Sequence, residues 1–156
     1  MSDTSALDTL VELTKEVLDN AALRLAKSRR SEQQAREYLS TLQNYRQEYA
    51  RELQKLMRKG IDSMTRGNYR SFLNSLDQAI EQANRSVNEQ VTNVDLNQTH
   101  WKDQYIKLNS FETLIGRRQQ TAKLAASRVE QRQADEMSAQ MLLRQRHNYD
   151  SPSPGF

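Results

Sequence analysis

The sequence has few of the residues that make turns, cross-links or kinks. Its 156 residues include no cysteine, two prolines and four glycines, and both prolines lie within the last five residues. A disulfide scaffold and thiolate chemistry are therefore excluded, and no proline interrupts a helix before Pro152. A protein of many short strands would need turn residues about every ten positions, and these are missing.

Apolar residues are also scarce, since only 36% of the chain is hydrophobic and 6% aromatic. Globular domains are usually about 45–50% apolar, so a thick core is not expected. The net charge is only +3, from 23 basic and 20 acidic residues that are interspersed, whereas disordered chains usually carry a larger imbalance. The abundant Ala, Leu, Glu, Gln, Lys and Arg are typical of long exposed helices.

No run of apolar residues is long enough to cross a membrane. The N-terminus, Met1-Ser2-Asp3-Thr4-Ser5, is acidic where a secretory signal would be basic and then apolar. We therefore expect a cytoplasmic protein.

A seven-residue repeat of apolar side chains predicts a coiled coil. In the first half the stripe is interrupted by Ser28, Glu32 and Arg46. Its a positions there are Val11, Leu18, Leu25, Glu32, Leu39, Arg46 and Leu53, and its d positions are Leu7, Thr14, Ala21, Ser28, Ala35, Leu42, Tyr49 and Leu56. In the second half the a column is cleaner and consists of Leu73, Ile80, Val87, Val94, Trp101, Leu108, Ile115, Ala122 and Val129. The d column of that half is mixed and consists of Leu76, Ala83, Gln90, Asn97, Gln104, Phe111, Arg118 and Ala125. A period of seven favours a left-handed supercoil over an ordinary 3.6-residue repeat.

Two of the four glycines, Gly60 and Gly67, lie between the two halves and mark a helix end followed by a restart. A short connection between long helices makes an antiparallel hairpin. The sequence thus predicts an all-α, two-helix antiparallel coiled-coil hairpin over residues 1–146. Its parts are helix 1 near 4–59, a hinge near 60–67, helix 2 near 68–146 and a disordered tail, 147–156. Folding about residue 63 would end helix 1 opposite residue 122.

Catalysis finds no support in the sequence. His100 and His147 lie far apart, no glycine-rich loop precedes a helix, and there is no Cys/His cluster. We expect a protein that is not an enzyme and holds no metal, cofactor or small-molecule substrate.

Basic residues are concentrated at the hinge and toward the C-terminus. Such clusters either bind nucleic acid or form a solvated helix face. Acidic residues interrupt both, and no basic region runs into a parallel zipper. The solvated face is the expectation, with no nucleic-acid partner.

Aromatic side chains near the hinge widen the apolar stripe beyond the seam. Tyr38 and Tyr45 occupy g positions of helix 1, and Phe72 and Ala79 flank the seam of helix 2 in the same way. Positions beside a two-stranded seam are half exposed. Two interpretations stay open: extra packing by amphipathic tyrosines, or a patch that binds a partner.

A match to a known family extends from Ala6 to about Ala139. The matching residues outside the seam that carry most weight are Tyr45, Glu48, Phe72, Asp95, Asp135 and Glu136. Through these residues the chain resembles the family of the flagellar export protein FliJ. The resemblance implies a hairpin similar to the central stalk of rotary ATPases. It also implies three partners. They are the hexameric flagellar export ATPase, whose assembly and activity the family promotes, the cytoplasmic linker of the membrane export gate, and the export chaperones, which the family helps to recycle. The location implied is cytoplasmic, peripherally associated with the inner membrane at the flagellar basal body.

The resemblance also implies one set of binding residues. The export-gate surface maps onto Leu42, Tyr45, Tyr49, Phe72, Leu76 and Ala79, with Tyr38 and Ala83 departing from the family pattern at its edge. We further expect the part of helix 2 beyond residue 122 to bind the ATPase. The candidates there are Leu124, Ala125, Arg128, Gln131, Asp135 and Glu136. Two alternatives remain: the equivalent stalk of a virulence type III injectisome, and a generic coiled-coil scaffold or nucleic-acid-associated protein.

Overall fold

Two long helices make up the described part of the chain, residues 2–150 of the computed structural model. Helix α1 spans Ser2–Lys59 and helix α2 spans Ser63–Asp150. Side chains near the turn contact each other across the two helices, which run antiparallel. The predicted all-α, two-helix antiparallel hairpin is confirmed.

Gly60 ends helix α1. Its φ is +84°, the left-handed conformation that glycine adopts most readily, and its N–H donates to the carbonyl oxygen of Met57 at 3.3 Å. This bond satisfies one of the carbonyls that the last helical turn leaves without a partner. The basic side chains of Arg58 and Lys59 lie in the same turn, where the helix dipole favours positive charge.

The connection is shorter than the predicted hinge of residues 60–67, because α2 already begins at Ser63. The carbonyl of Asp62 accepts the first helical hydrogen bond from the N–H of Arg66 at 3.2 Å, which places Asp62 at the N-cap. Gly67 therefore lies inside the helix and not in the turn. At the other end, 147–150 are helical and do not belong to a tail, and the tail residues 151–156 lie outside the described residues.

The chain divides into two compact units. One is Val11–Leu108, and the other combines the described residues before Val11 with those after Leu108. In the first unit every buried residue occupies a predicted seam position. These residues are Val11, Thr14, Ala21, Leu25, Ser28, Leu53, Leu76, Ala83, Val87, Val94 and Leu108.

The polar residues that interrupt the predicted seam each have a partner. The hydroxyl of Ser28 is buried and donates to the carbonyl of Leu25 at 2.8 Å. The carboxylate of Glu32 forms an ion pair with Arg36 one turn later, at 3.1 Å. Arg46 forms an ion pair with a carboxylate on α2, as described below. No residue of α1 between Ser28 and Leu53 is buried, so the seam is shallower in the stretch that contains Glu32 and Arg46.

The register of the hairpin differs from the predicted one. Tyr49 contacts Phe72 and Arg46 pairs with Asp77, so both pairs are centred on about residue 61 and not on residue 63. The shorter turn is the reason. A shift of two residues in the centre moves the partner of each α1 residue by about four, roughly one helical turn.

In the second unit the buried surface ends early. Leu7 is buried, Phe111 and Ile115 are half-buried, and all residues from 116 to 150 are exposed. The apolar heptad column continues through Ala122 and Val129, but both residues are exposed. The sequence had placed the end of the paired region near residue 122. The uncovered part of α2 therefore starts near residue 116 and not near residue 122.

The two glycines near the turn should respond to alanine in opposite directions. Gly60→Ala forces a left-handed backbone on an L-residue and should lower the free energy of unfolding by about 1 kcal/mol. Gly67→Ala replaces a helical glycine and should raise it by about 0.5–1 kcal/mol. No side chain lies within 4 Å of either site, so crowding does not contribute. Urea unfolding checks both variants, and equal effects would contradict this assignment of the turn.

Candidate interaction surfaces

Three aromatic rings meet across the two helices close to the turn. The ring of Tyr49 lies 4.6 Å from that of Phe72 and 6.3 Å from that of Tyr69, centroid to centroid, with tilted planes in both pairs. Such tilted pairs are the favoured aromatic geometry and stabilise beyond their buried area. We call Tyr49, Tyr69 and Phe72 the aromatic cluster.

The aromatic cluster is open to solvent on one side. Its three rings and Asn68 line a shallow groove of about 170 Å³, and Phe72 remains 43% exposed. Aromatic side chains of this kind are the ones most enriched at the energetic centres of protein interfaces, because they cover a large apolar area with few rotatable bonds. The groove can therefore hold one small apolar group of a partner.

The other residues predicted for gate binding differ in exposure. Tyr45 and Tyr38 are exposed, at 51% and 60%, whereas Leu42 and Ala79 are half-buried. Leu76 and Ala83 are buried in the seam. Leu76 and Ala83 therefore pack beneath the exposed side chains and present almost no area to solvent. Among the residues predicted for gate binding, Tyr49 and Phe72 are in direct contact through their rings.

Tyr69 and Asn68 belong to the groove and were missed by the sequence prediction. Tyr69 lies seven residues before Leu76 and thus extends the d column of α2 by one heptad. Helix 2 was predicted to begin near residue 68, but its d column was started only at Leu76, one heptad too late. Extending the repeat to the start of α2 would have found Tyr69.

An ion pair between the helices lies beside the aromatic cluster. The guanidinium of Arg46 donates from Nε to Oδ1 of Asp77 and from Nη2 to Oδ2, the latter at 3.4 Å. The hydrogen bond from Arg46 lowers the pKa of the Asp77 carboxyl below its usual value. Both side chains are well exposed, so the pair orients the helices more than it stabilises them.

The lowered pKa of Asp77 predicts a small pH dependence. A depressed carboxyl pKa stabilises the fold above the unfolded-state pKa of about 4, and this contribution disappears as pH falls through the folded-state value. Asp77→Asn should therefore lower the urea midpoint slightly at pH 7 and not at pH 2. Asp95→Asn, which removes an exposed carboxylate elsewhere on α2, is the matched control. A deficit of Asp77→Asn that persists at pH 2 would contradict the role of this ion pair.

The second surface is the uncovered part of α2, which we call the α2 extension, residues 116–150. All six residues predicted to bind the ATPase lie on it and are exposed. Leu124, Arg128, Gln131 and Asp135 are spaced 4, 3 and 4 residues apart, so they share one face of the helix. Ala125 and Glu136 lie at the side of that face. The helix thus presents a mixed apolar and polar stripe.

Large apolar side chains on the α2 extension are open to solvent. They are Leu124, Val129, Met137, Met141, Leu142 and Leu143. A helix with this many uncovered apolar residues gains most of its stability by packing against another surface. The extension is therefore a candidate for helix recognition by a partner.

Neither a metal centre nor a membrane-spanning helix is found in residues 2–150. Within that range, no group of three or more His, Cys, Asp or Glu side chains is placed to hold a metal ion. None of the helices described is both long and apolar enough to cross a membrane.

Two helices packed along a seam, with an aromatic groove and an uncovered apolar extension, define a helical-hairpin interaction protein. A family model described as Flagellar FliJ protein matches residues 3–147, and the chain belongs to this family. It is 35% identical over 144 residues to the Flagellar FliJ protein of Salmonella typhi, covering 92% of this chain and 98% of that relative. It is 33% identical, with the same coverage, to the Flagellar FliJ protein of Escherichia coli (strain K12).

Proposed function

We propose that this protein is a non-enzymatic coupling component of the flagellar type III export apparatus, required for flagellum assembly and motility. Membership of the Flagellar FliJ family, over nearly the whole chain, carries the proposal. In this role it binds and stimulates the hexameric export ATPase, contacts the cytoplasmic linker of the export gate and assists the recycling of export chaperones. It works in the cytoplasm, peripherally associated with the inner membrane at the flagellar basal body.

The α2 extension is the proposed ATPase-binding element. Its residues make no buried contact within the described chain, yet they form a continuous helix with exposed leucines and methionines. A partner that covers this face would bury apolar area at about 25 cal/mol per Å² and would fix the helix in place. The residues proposed for this contact are Leu124, Ala125, Arg128, Gln131, Asp135 and Glu136.

Removing the part of the α2 extension beyond residue 122 should abolish ATPase stimulation without weakening the hairpin. A chain that ends at Ala122 keeps every buried and half-buried residue, because Ile115 is the last of them. Its urea midpoint should therefore match that of the full chain, while stimulation of the purified ATPase is lost. Undiminished stimulation would refute the assignment.

Two matched double variants test which face of the extension makes the contact. Leu124→Glu with Gln131→Glu alters the proposed face, and Ala126→Glu with Gln133→Glu makes the same changes in charge on the opposite face. All four sites are exposed, so neither pair should alter folding. The first pair should lower the affinity for the ATPase at least tenfold, about 1.4 kcal/mol, and the second should leave it near that of the parent. Equal losses would place the contact elsewhere.

The aromatic cluster and its neighbours are the proposed gate-binding surface. Tyr49 and Phe72 form its centre, Tyr45 is exposed one turn before Tyr49, and Leu42 and Ala79 add half-buried apolar area. Leu76 and, at the edge, Ala83 hold the surface from the seam. Tyr38, four residues before Leu42, extends the exposed edge.

Tyr45→Ala with Phe72→Ala should impair binding of the purified gate linker while helicity is kept. Both side chains are about half exposed, so their removal should cost far less stability than a core deletion of about 2–5 kcal/mol. Leu96→Ala with Tyr105→Ala is the control, since those exposed side chains lie elsewhere on α2. A stability loss as large as that of Leu76→Ala would instead show that Tyr45 and Phe72 serve packing.

A further inference from the structure

Positive charge is concentrated around the turn. Between Arg51 and Arg70 the chain has six basic and two acidic residues, a net charge of +4, whereas the whole chain carries +3. The six basic residues are Arg51, Lys55, Arg58, Lys59, Arg66 and Arg70, and all are exposed. We call these six residues the basic turn surface. The rest of the molecule is therefore close to neutral.

The basic residues are close enough to act together. On α1 the first four are spaced 4, 3 and 1 residues apart, which places them on one side of the helix within about 12 Å along its axis. Arg66 and Arg70 lie in the first two turns of α2. Charges within about one Debye length, roughly 8–10 Å at physiological salt, reinforce one another in attracting an anionic surface.

None of the six is neutralised inside the molecule. The ion pairs of the described residues use other side chains, with Arg46, Arg36 and Arg85 as the cations. Glu52 and Asp62, the two acidic residues of the segment, are exposed as well. The positive charge is thus available to a partner.

Exposed methionines accompany the charge. Met64, in the first turn of α2, is 75% exposed, and Met57, in the last turn of α1, is 44% exposed. Ile61 lies between them in the turn and is half-buried. Basic residues combined with flexible apolar side chains are typical of segments that lie on anionic bilayers, where the apolar groups enter the headgroup region. Binding to nucleic acid would use the charge alone and leave the methionines without a role.

We propose that the basic turn surface, together with Met57 and Met64, binds an anionic phospholipid bilayer. Each basic residue close to such a surface adds to the attraction, and the contribution is screened by salt. The proposal deepens the peripheral inner-membrane location given above by naming the contact. It does not depend on binding to the gate or to the ATPase.

Co-sedimentation of the purified full chain with vesicles tests the proposal. We expect binding to vesicles of phosphatidylcholine with 30 mol% phosphatidylglycerol, and at least tenfold weaker binding to pure phosphatidylcholine vesicles. Raising the salt concentration from about 0.05 to 0.5 M should release the protein from the anionic vesicles. Equal binding to both vesicles, or no binding at low salt, would overturn the proposal.

Two triple variants with the same net charge locate the contact. Lys55→Gln, Arg58→Gln and Arg66→Gln remove half of the basic turn surface and should weaken binding to the anionic vesicles by about tenfold or more. Lys15→Gln, Lys27→Gln and Arg30→Gln remove three exposed charges of α1 outside this surface and should have little effect. Circular dichroism should show the same helicity for both. Equal losses would mean that net charge alone governs binding and would refute the turn as the contact.

A second outcome separates the lipid from a nucleic-acid partner. In competition, a DNA duplex should not displace the protein from anionic vesicles at equal concentration of negative charge. Displacement by DNA, together with loss of DNA binding in the Lys55, Arg58 and Arg66 variant, would assign the surface to nucleic acid and overturn the lipid proposal.

Discussion

The structure depends on one tight turn between two helices of unequal length. The turn occupies only residues 60–62, and it joins a helix of 58 residues to one of 88 residues. Gly60 makes the turn possible because it adopts a positive φ without strain. Once the turn is fixed, the register of every contact between the helices is fixed with it. The length difference then decides which part of α2 is left uncovered.

A two-helix seam buries only one stripe of each helix, and this explains the polar composition. The buried residues of the first unit all lie in the heptad columns, and the polar ones among them are small. Among the apolar groups that the seam leaves exposed are Phe72 of the aromatic cluster, the two methionines that flank the turn and the apolar side chains of the α2 extension. The proposed contacts with the gate, the membrane and the ATPase use these uncovered groups.

The sequence was sufficient to predict the seam but not its register. Heptad spacing is a local property, so residues such as Val87 and Val94 could be assigned to the buried face without knowledge of the fold. The register depends on which glycine forms the turn. The sequence assigned both Gly60 and Gly67 to the hinge, whereas the backbone places Gly60 in the turn and Gly67 inside α2.

The gate-binding surface and the α2 extension were also predicted only in part from the sequence. Because the d column of helix 2 was started at Leu76, the sequence prediction left out Tyr69, which lies one heptad earlier and belongs to the aromatic cluster. The heptad repeat placed Leu76 and Ala83 in the d column and so predicted their burial, whereas the patch taken from the family resemblance grouped them with exposed residues. The α2 extension, by contrast, follows from the difference in helix length and was predicted to within about two turns.

Amide hydrogen exchange on the full chain, alone and with the purified export ATPase, tests the central claim most directly. In the free chain the amides of residues 116–150 should exchange faster than those of the seam between Leu76 and Leu108, because they have no buried packing. Adding the ATPase should slow exchange in residues 116–150 selectively. Strong protection of that segment in the free chain, or protection by the ATPase only in other segments, would contradict the account.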